Sequence, residues 1–341
     1  MEQNRVRIAD IADTLGLSTA TVSNVIHGKT QKISAATVKR VEQELEKTGY
    51  IPNMAGILLA QNNSRIIGVV MNDHFKYEGR ILEDGYVMSS LNALSHEINE
   101  KGYFLMIKTT SDIREIPVFA SMWNMDGLIL MGFCETDYEA LRSRMRISFV
   151  VYDGYFAACS KVVNLSIDQY GGGYQAGQYA KTLGHKKALC LADNARCMDK
   201  ERMDGFRAAF APGKTLFWQI PALQKERTRF YEEHFSDFIK LRCTVVFAVS
   251  DYYALEFMRF LQVKGVRIPE DVQIIGFDDI AASRESIPAL TTIHQDAAQR
   301  AKTAIACLEA MRSGSACDTR VVLPVSLICR ESTRELPCQT L

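Results

Sequence analysis

Ile8-Ala-Asp-Ile-Ala-Asp-Thr-Leu-Gly-Leu-Ser-Thr-Ala-Thr-Val-Ser-Asn-Val-Ile-His27 is the stretch on which the reading of this chain turns. Ile8, Ile11, Ala12 and Leu15 recur at helical spacing and predict one apolar stripe. Gly16 ends that helix, because glycine reaches the left-handed conformation without a Cβ clash. Ser18 is placed to cap a second helix by accepting from a backbone N–H two or three residues on. In that helix Val22, Val25 and Ile26 face inward, leaving Thr19, Ala20, Ser23, Asn24 and His27 outside. Two short helices joined by a glycine turn, the second opening on small polar side chains, describe a helix-turn-helix. An ordinary amphipathic hairpin capping a larger core is the alternative that this stretch alone leaves open.

The flanks of the hairpin add to it. Residues 5–40 hold Arg5, Arg7, Lys29, Lys32, Lys39 and Arg40 against Asp10 and Asp13, a local cationic excess in a chain whose formal net charge is zero. That excess is a modest phosphate-binding footprint. Ser34 predicts the cap of a third helix, with Val38, Val41 and Leu45 on one face and Gly49 as its stop. Pro52 then pre-sets a short helix with Asn53 in its first turn. Two turns are too few to stand alone in water, where about 12–15 residues are needed. That helix exposes Met54, Ile57, Leu58 and Leu59, so it needs a partner to order against.

From Ser64 onward apolar runs alternate with amphipathic stretches. Strand runs are predicted near Arg65–Met71, Tyr103–Lys108, Gly127–Met131 and Ser148–Tyr152, and again at Ala188–Ala192, Leu216–Ile220, Thr244–Ala248 and Gln273–Phe277. Helical stretches intervene, and the count is enough for two parallel sheets. Ligands of open α/β sheets bind beyond the carboxyl ends of the strands. Asn72, Asp73, Asp153, Asp193, Ser250, Asp251, Asp278 and Asp279 fall there, although each singly is a common cap or turn former.

At 341 residues and 47% apolar composition the chain has ample core for more than one domain. The nine cysteines form no Cys-x-x-Cys pair and lie near no His cluster, so no metal or cofactor is expected. Most sit in apolar runs, Cys190 and Cys329 among them, as reduced core cysteines do. A polar N-terminus and the lack of a run of about 20 apolar residues predict a cytoplasmic protein without a membrane span. No nucleophile elbow or phosphate loop is present, and Gly171-Gly-Gly173 lacks the dinucleotide spacing, so an enzyme is not expected.

The sequence resembles the LacI/GalR family of bacterial transcription regulators over essentially its whole length. The resemblance rests on Ile11-Ala-x-x-x-Gly16-x-Ser18-x-x-Thr21-Val-Ser23-x-Val25 and Tyr50-x-Pro52-Asn53. It rests further on Leu183-Gly-His185, Arg202-Met-Asp-Gly-Phe206, Pro269 through Asp279 and Leu290 through Asp296. It implies an α/β protein: a headpiece over 1–50, a hinge helix and linker over 51–63, and a two-lobed periplasmic-binding-protein-like core over 64–341. The N-lobe is expected at about 64–164 and 297–323, the C-lobe at about 165–296 and 324–341. The implied function is a ligand-responsive repressor of carbohydrate-related genes that binds a near-palindromic operator as a homodimer. By matched position Thr19, Ala20 and Asn24 address base edges, while Ser18, Thr21, Ser23 and His27 address phosphates or flanking groups. Asn53 lies in the hinge, and Leu59 matches the leucine that the family wedges into the minor groove.

The same matching lines an effector cleft with Asn72, Asp73, Asp153, Arg202, Ser250 and Asp278, with Gln295 on a crossover. An ion pair of Arg202 with Asp278 or Asp251 is the plainer reading of that arginine. A sugar or sugar derivative is the leading effector. A nucleobase, a phosphorylated metabolite or a protein corepressor remains as an alternative, and a solute-binding protein without a DNA role as a remote one. Three departures stand out. Asn24 replaces the usual arginine and suits adenine rather than guanine. Gly56-Ile57 replaces Ala-Arg, loosening the hinge. Residues 73–86 form a longer loop at the cleft mouth, which either gates the ligand or decorates the surface.

Overall fold

The computed structural model describes residues 6–26, 28–50, 64–133, 135–155 and 162–334. His27, Asn53, Leu59 and the whole expected hinge lie outside them. The chain divides into two compact units, Met1–Ser64 and Arg65–Leu341.

In the first unit α1 (Ile8–Leu15), α2 (Thr19–Ile26) and α3 (Ala35–Thr48) form a three-helix cluster. Ile11, Ala12, Val22, Val25 and Val41 are its buried centre, with Leu15, Ile26, Val38 and Leu45 packed around them. Both expected serine caps form. Thr21 N–H donates to Ser18 Oγ at 3.1 Å, and Thr37 N–H to Ser34 Oγ at 3.2 Å. Gly16 takes the left-handed conformation (φ 64°), and Leu17 N–H folds back onto Ala12 C=O at 2.9 Å, closing α1. Arg40, counted above with the basic flank, donates from Nη2 to the C-terminal carbonyl of Leu15 at 3.0 Å.

The second unit is an α/β body. Its first run is β1 (Ile66–Asn72), α4 (Gly85–Glu100), β2 (Phe104–Thr110), α5 (Glu115–Met122), β3 (Gly127–Met131), α6 (Glu135–Arg144), β4 (Phe149–Tyr152) and β5 (Val163–Ile167). Next come α7 (Gln169–Thr182), β6 (Lys187–Ala192), α8 (Cys197–Phe210), β7 (Lys214–Gln219), α9 (Gln224–Leu241), β8 (Val245–Ala248) and α10 (Asp251–Val263). The chain ends with β9 (Gln273–Asp278), α11 (Ala281–Glu285), β10 (Thr291–Gln295), α12 (Ala297–Ser313), β11 (Arg320–Leu323) and β12 (Val325–Ile328). Two six-stranded sheets result, ordered β11-β5-β4-β3-β1-β2 and β12-β10-β9-β8-β6-β7. Every pairing is parallel except β10 with β12. Central strands such as β3 (Gly-Leu-Ile-Leu-Met) and β8 (Val-Val-Phe-Ala) are buried throughout, as strands with helices on both faces must be.

The chain changes sheet three times, at Asp168, Asp296 and Pro324. The first change lies beyond the expected 164/165 boundary, because β5 stays in the first sheet through Ile167 by pairing with β4 and β11. Asp168 and Asp296 each cap the helix that follows, accepting from Gly171 N–H at 2.7 Å and Gln299 N–H at 2.9 Å. The Gly171-Gly-Gly173 run serves packing. A Cβ on Gly173 would lie 1.9 Å from the Arg202 carbonyl oxygen, and one on Gly177 2.3 Å from that of Phe206. Only glycine lets α7 approach α8 this closely. Cys190, Cys243 and Cys307 are buried thiols, whereas Cys329 is exposed because it follows the end of the edge strand β12. Among the described residues no helix is long and apolar enough to cross a membrane.

Candidate functional site

On the first unit the short side chains of α2 make the outward face. Thr19, Ala20 and Asn24 are exposed, with Ala20 and Asn24 one turn apart on the same side. Ser18 is exposed at the cap, its Oγ shared between Thr21 N–H and Thr21 Oγ1. Thr21 and Ser23 are half-buried beside it. This is a narrow helix face with one amide that pairs well with base edges.

In the second unit a cavity of about 490 Å³ opens at the carboxyl ends of the strands of both sheets. Of the expected effector residues, Asn72, Asp153, Arg202, Ser250 and Asp278 line it. Asp73 and Gln295 do not, and the expectation is corrected for both. Strand alternation turns Asp73 away from Asn72, and its N–H extends the sheet by donating to Thr110 C=O at 3.2 Å. Gln295 is buried behind the wall, donating from Nε2 to Asp278 Oδ1 at 2.8 Å. Asp251, also placed after a strand, is an interior scaffold that accepts from Ser283 and Thr292 hydroxyls and Ile280 N–H.

The plainer reading of Arg202 accounts for much of its fork. Its guanidinium stacks 3.7 Å from the centroid of Phe277. It donates to Gln169 Oε1 at 2.7 Å, Val249 C=O at 2.6 Å and Asp278 Oδ1 at 3.5 Å. Gln169, which the sequence did not single out, passes the contact on: its Nε2 donates to Asp153 Oδ1 at 3.0 Å. Asp153, held at φ 52°, pairs with Arg300 Nη2 at 2.7 Å. Arg300 also reaches Tyr86 Oη at 2.9 Å, Leu165 C=O at 2.9 Å and Gln295 Oε1 at 3.4 Å, with its guanidinium over Tyr152. Gln295 returns to Asp278. Six side chains thus close a ring: Asp278, Arg202, Gln169, Asp153, Arg300 and Gln295. Asp153 stands at the end of β4 in the first sheet, and Arg202 and Asp278 stand in the lobe of the second. Gln169, Gln295 and Arg300 flank the first two changes of sheet.

Burial shapes the electrostatics. It raises the Asp278 carboxyl well above the ordinary range despite the neighbouring Arg202. Burial likewise pushes Asp199 up to about 6, against the pull of Arg202 and with a further push from Asp193. Burial and then Lys76 lower the His74 imidazole, which keeps that ring neutral near neutrality. Burial opposes the charge on Arg300, yet Asp153 and the adjoining tyrosines hold the guanidinium more firmly protonated than usual.

The long loop after β1 is part of the site. It folds into short 3-10 turns at Phe75–Tyr77 and Ile81–Glu83, and His74, Lys76, Tyr77, Ile81 and Asp84 line the cavity. Lys76 Nζ spans to Asp193 Oδ2 at 3.9 Å. Tyr86, Tyr152, Tyr252 and Tyr253 add aromatic wall. Arg227 is fully engaged behind it, gripping Glu256 through Nε (2.7 Å) and Nη2 (3.0 Å) and steadying Tyr252 Oη at 3.0 Å. Among the described residues no group of three metal-ligating side chains assembles.

Comparison with known proteins places both units. Residues 7–53 match the family described as bacterial regulatory proteins, lacI family, and residues 178–333 match a periplasmic binding protein-like domain. The HTH-type transcriptional repressor PurR of Vibrio atlanticus (strain LGP32) is 29% identical over 324 residues, covering 88% of this chain and 90% of that protein. The lac repressor dimer bound to operator and the anti-inducer ONPF has the same fold, with a TM-score of 0.81 and 22% identity over 96% of this chain and 99% of that one. The CelR–cellobiose complex is similar at TM-score 0.68 and 22% identity, over 96% and 100%.

Proposed function

Because this chain belongs to the lacI family of bacterial regulatory proteins, we propose that it is a repressor binding a near-palindromic operator as a homodimer, with a small molecule in the interlobe cleft shifting its DNA affinity. The carrying observation is that one chain holds both an exposed recognition face (Thr19, Ala20, Asn24) and a cavity built across two lobes. The two halves of a dimer address the two half-sites. Exposed Phe104 and Ile107 on edge strand β2, and Val118, Met122 and Trp123 just beyond it, supply apolar surface for such pairing. Ser18, Thr21, Ser23 and His27 position the headpiece on phosphates, and Asn53 and Leu59 belong to the hinge that inserts at the operator centre. The unit boundary at Ser64 and Arg65 directly precedes β1, so a change in lobe arrangement alters the spacing at which two hinges begin.

The effector is a sugar or sugar derivative. Asn72, Asp153, Ser250 and Asp278 offer acceptors and an amide for hydroxyl groups, and tyrosine faces cover sugar rings. A phosphorylated metabolite fits less well, since each lining cation is already matched: Lys76 to Asp193, Arg80 to Glu78 and Glu83, Arg202 to Asp278 and Arg227 to Glu256. The test is a thermal-shift screen of the full chain against sugars, nucleobases and phosphorylated metabolites, where a specific binder raises stability by mass action. Stabilisation by sugars alone supports the reading. Stabilisation by nucleobases or phosphates alone refutes it.

A further inference from the structure

Carboxylates outnumber cations on the cavity wall. Asp84, Asp193, Asp199 and Asp278 line it, against Lys76 and Arg202 as the cations beside them. Arg202 commits Nε to Gln169 and Nη1 to Val249 and Asp278. A single amide nitrogen, Asn194 Nδ2, clamps two of the carboxylates side by side, at 2.9 Å from Asp193 Oδ1 and 2.7 Å from Asp199 Oδ2. Among the described residues no cation lies within ion-pair distance of Asp199. Lys76 reaches Asp193 only at 3.9 Å, whereas a direct N–H···O contact between charged groups is about 2.7–2.9 Å. Its ammonium stands 5.1 Å from the centroid of Tyr77. This lysine is therefore a loosely seated internal cation at an acidic, aromatic-walled position. On the same cavity wall the Tyr152 hydroxyl is buried without a hydrogen-bond partner.

We propose that the effector is a polyhydroxylated compound carrying a protonated amine, an amino sugar in its simplest form, whose ammonium sits between Asp193 and Asp199 and displaces Lys76 from Asp193. The proposal rests on the sugar reading of the cleft and narrows it. The ammonium donates to both carboxylates, Tyr77 and Tyr253 offer ring faces to it, and the sugar hydroxyls meet Asn72, Asp153 and Asp278 deeper in the cavity. Displacement frees Lys76 and with it the 73–84 loop, so the ligand breaks the lysine's contact between the lobes as it binds.

The test is calorimetric titration of the full chain with matched sets: glucose, glucosamine and N-acetylglucosamine, and the corresponding galactose and mannose sets. The account expects at least one free amine to bind about tenfold or more tightly than its neutral and N-acetylated counterparts, as one charge-assisted contact provides. Asp199→Asn should weaken the amine about tenfold at pH 7 and so erase most of its advantage over the neutral sugar, while Lys76→Met tightens the amine about three- to tenfold by removing its competitor. Circular dichroism and the melting temperature without ligand verify that both variants fold. A neutral sugar binding as well as its amine overturns this inference and leaves the sugar reading standing. No binding by any free amine overturns it too, and binding by nucleobases alone overturns both.

Discussion

Arg300→Met removes the side chain on which the cross-lobe ring turns. Arg300 is 2% exposed and its partner carboxylate on Asp153 is 7% exposed, so the pair is withdrawn from water. Methionine keeps most of the volume and the contact with the Tyr152 face, which isolates the polar loss. Asp153 retains the Gln169 amide at 3.0 Å, while Tyr86 Oη and Leu165 C=O lose their donor. Removing one partner of a buried pair costs about 3–5 kcal/mol, because the remaining charge stays desolvated and uncompensated. For a unit of this size each kcal/mol is worth about 2 °C, so the core transition should fall by about 6–10 °C in differential scanning calorimetry. Asp153→Asn in the same chain removes the stranded charge. The double variant should therefore be more stable than the sum of the single losses, by about 2 kcal/mol or more. A fall below about 2 °C in the single variant, or strict additivity in the double, would falsify the view that the ring fastens the lobes.

Three further perturbations follow from the same geometry. Gly173→Ala puts a methyl 1.9 Å from the Arg202 carbonyl oxygen and must push α8 away, costing about 2–3 kcal/mol and loosening Arg202 at the cavity; a thermal melt with unchanged stability would contradict this. Asn24→Arg exchanges an amide suited to adenine for a fork suited to guanine. Duplexes selected from a random pool should switch at one symmetric position, with about 1–3 kcal/mol of discrimination, and an unchanged consensus speaks against the recognition face. Asp199 has a folded-state pKa of about 6, above the unfolded value, so its contribution to stability is present below the unfolded pKa and is lost as pH rises through 6. Relative to Asp199→Asn, the wild type should gain stability as pH falls from about 7 to about 4; parallel curves would show that the carboxyl is not perturbed.

The headpiece is legible because its signals are local. Ser18 and Ser34 cap the helices that directly follow them, and Gly16 and Gly49 stop those that precede them, all within a few residues of the pattern that announces them. The core strands are legible for a similar reason, since a parallel strand covered on both faces is a short continuous apolar run. Several helices escaped that reading, α5 and α6 among them. Pro117 interrupts the pattern of α5, and the sequence of α6 is dominated by charged residues with little apolar periodicity. The short strands β11 and β12, divided by Pro324, are too brief to announce themselves.

The cavity was partly legible, because polar residues at strand ends mark it, and Asn72, Asp153, Ser250 and Asp278 follow that rule. Asp73 shows its limit: adjacent residues on an extended chain face opposite ways. Gln169 and Arg300 carry no local signal of their role. Each acquires it from partners far away in sequence, Arg202 and Asp153 respectively, once the chain has crossed between sheets. The caps Asp168 and Asp296 next to the crossovers were the available clue. The 73–86 loop became readable as cavity wall only once its 3-10 turns had aimed Lys76 across the cleft.

The most direct test of the account is operator affinity of the full chain, measured on its selected duplex with and without the ligand that raises its melting temperature. A regulator coupled through its lobes should change affinity by at least about fivefold, the lower end of ordinary allosteric coupling. An affinity that stays the same while the cavity is saturated would contradict it.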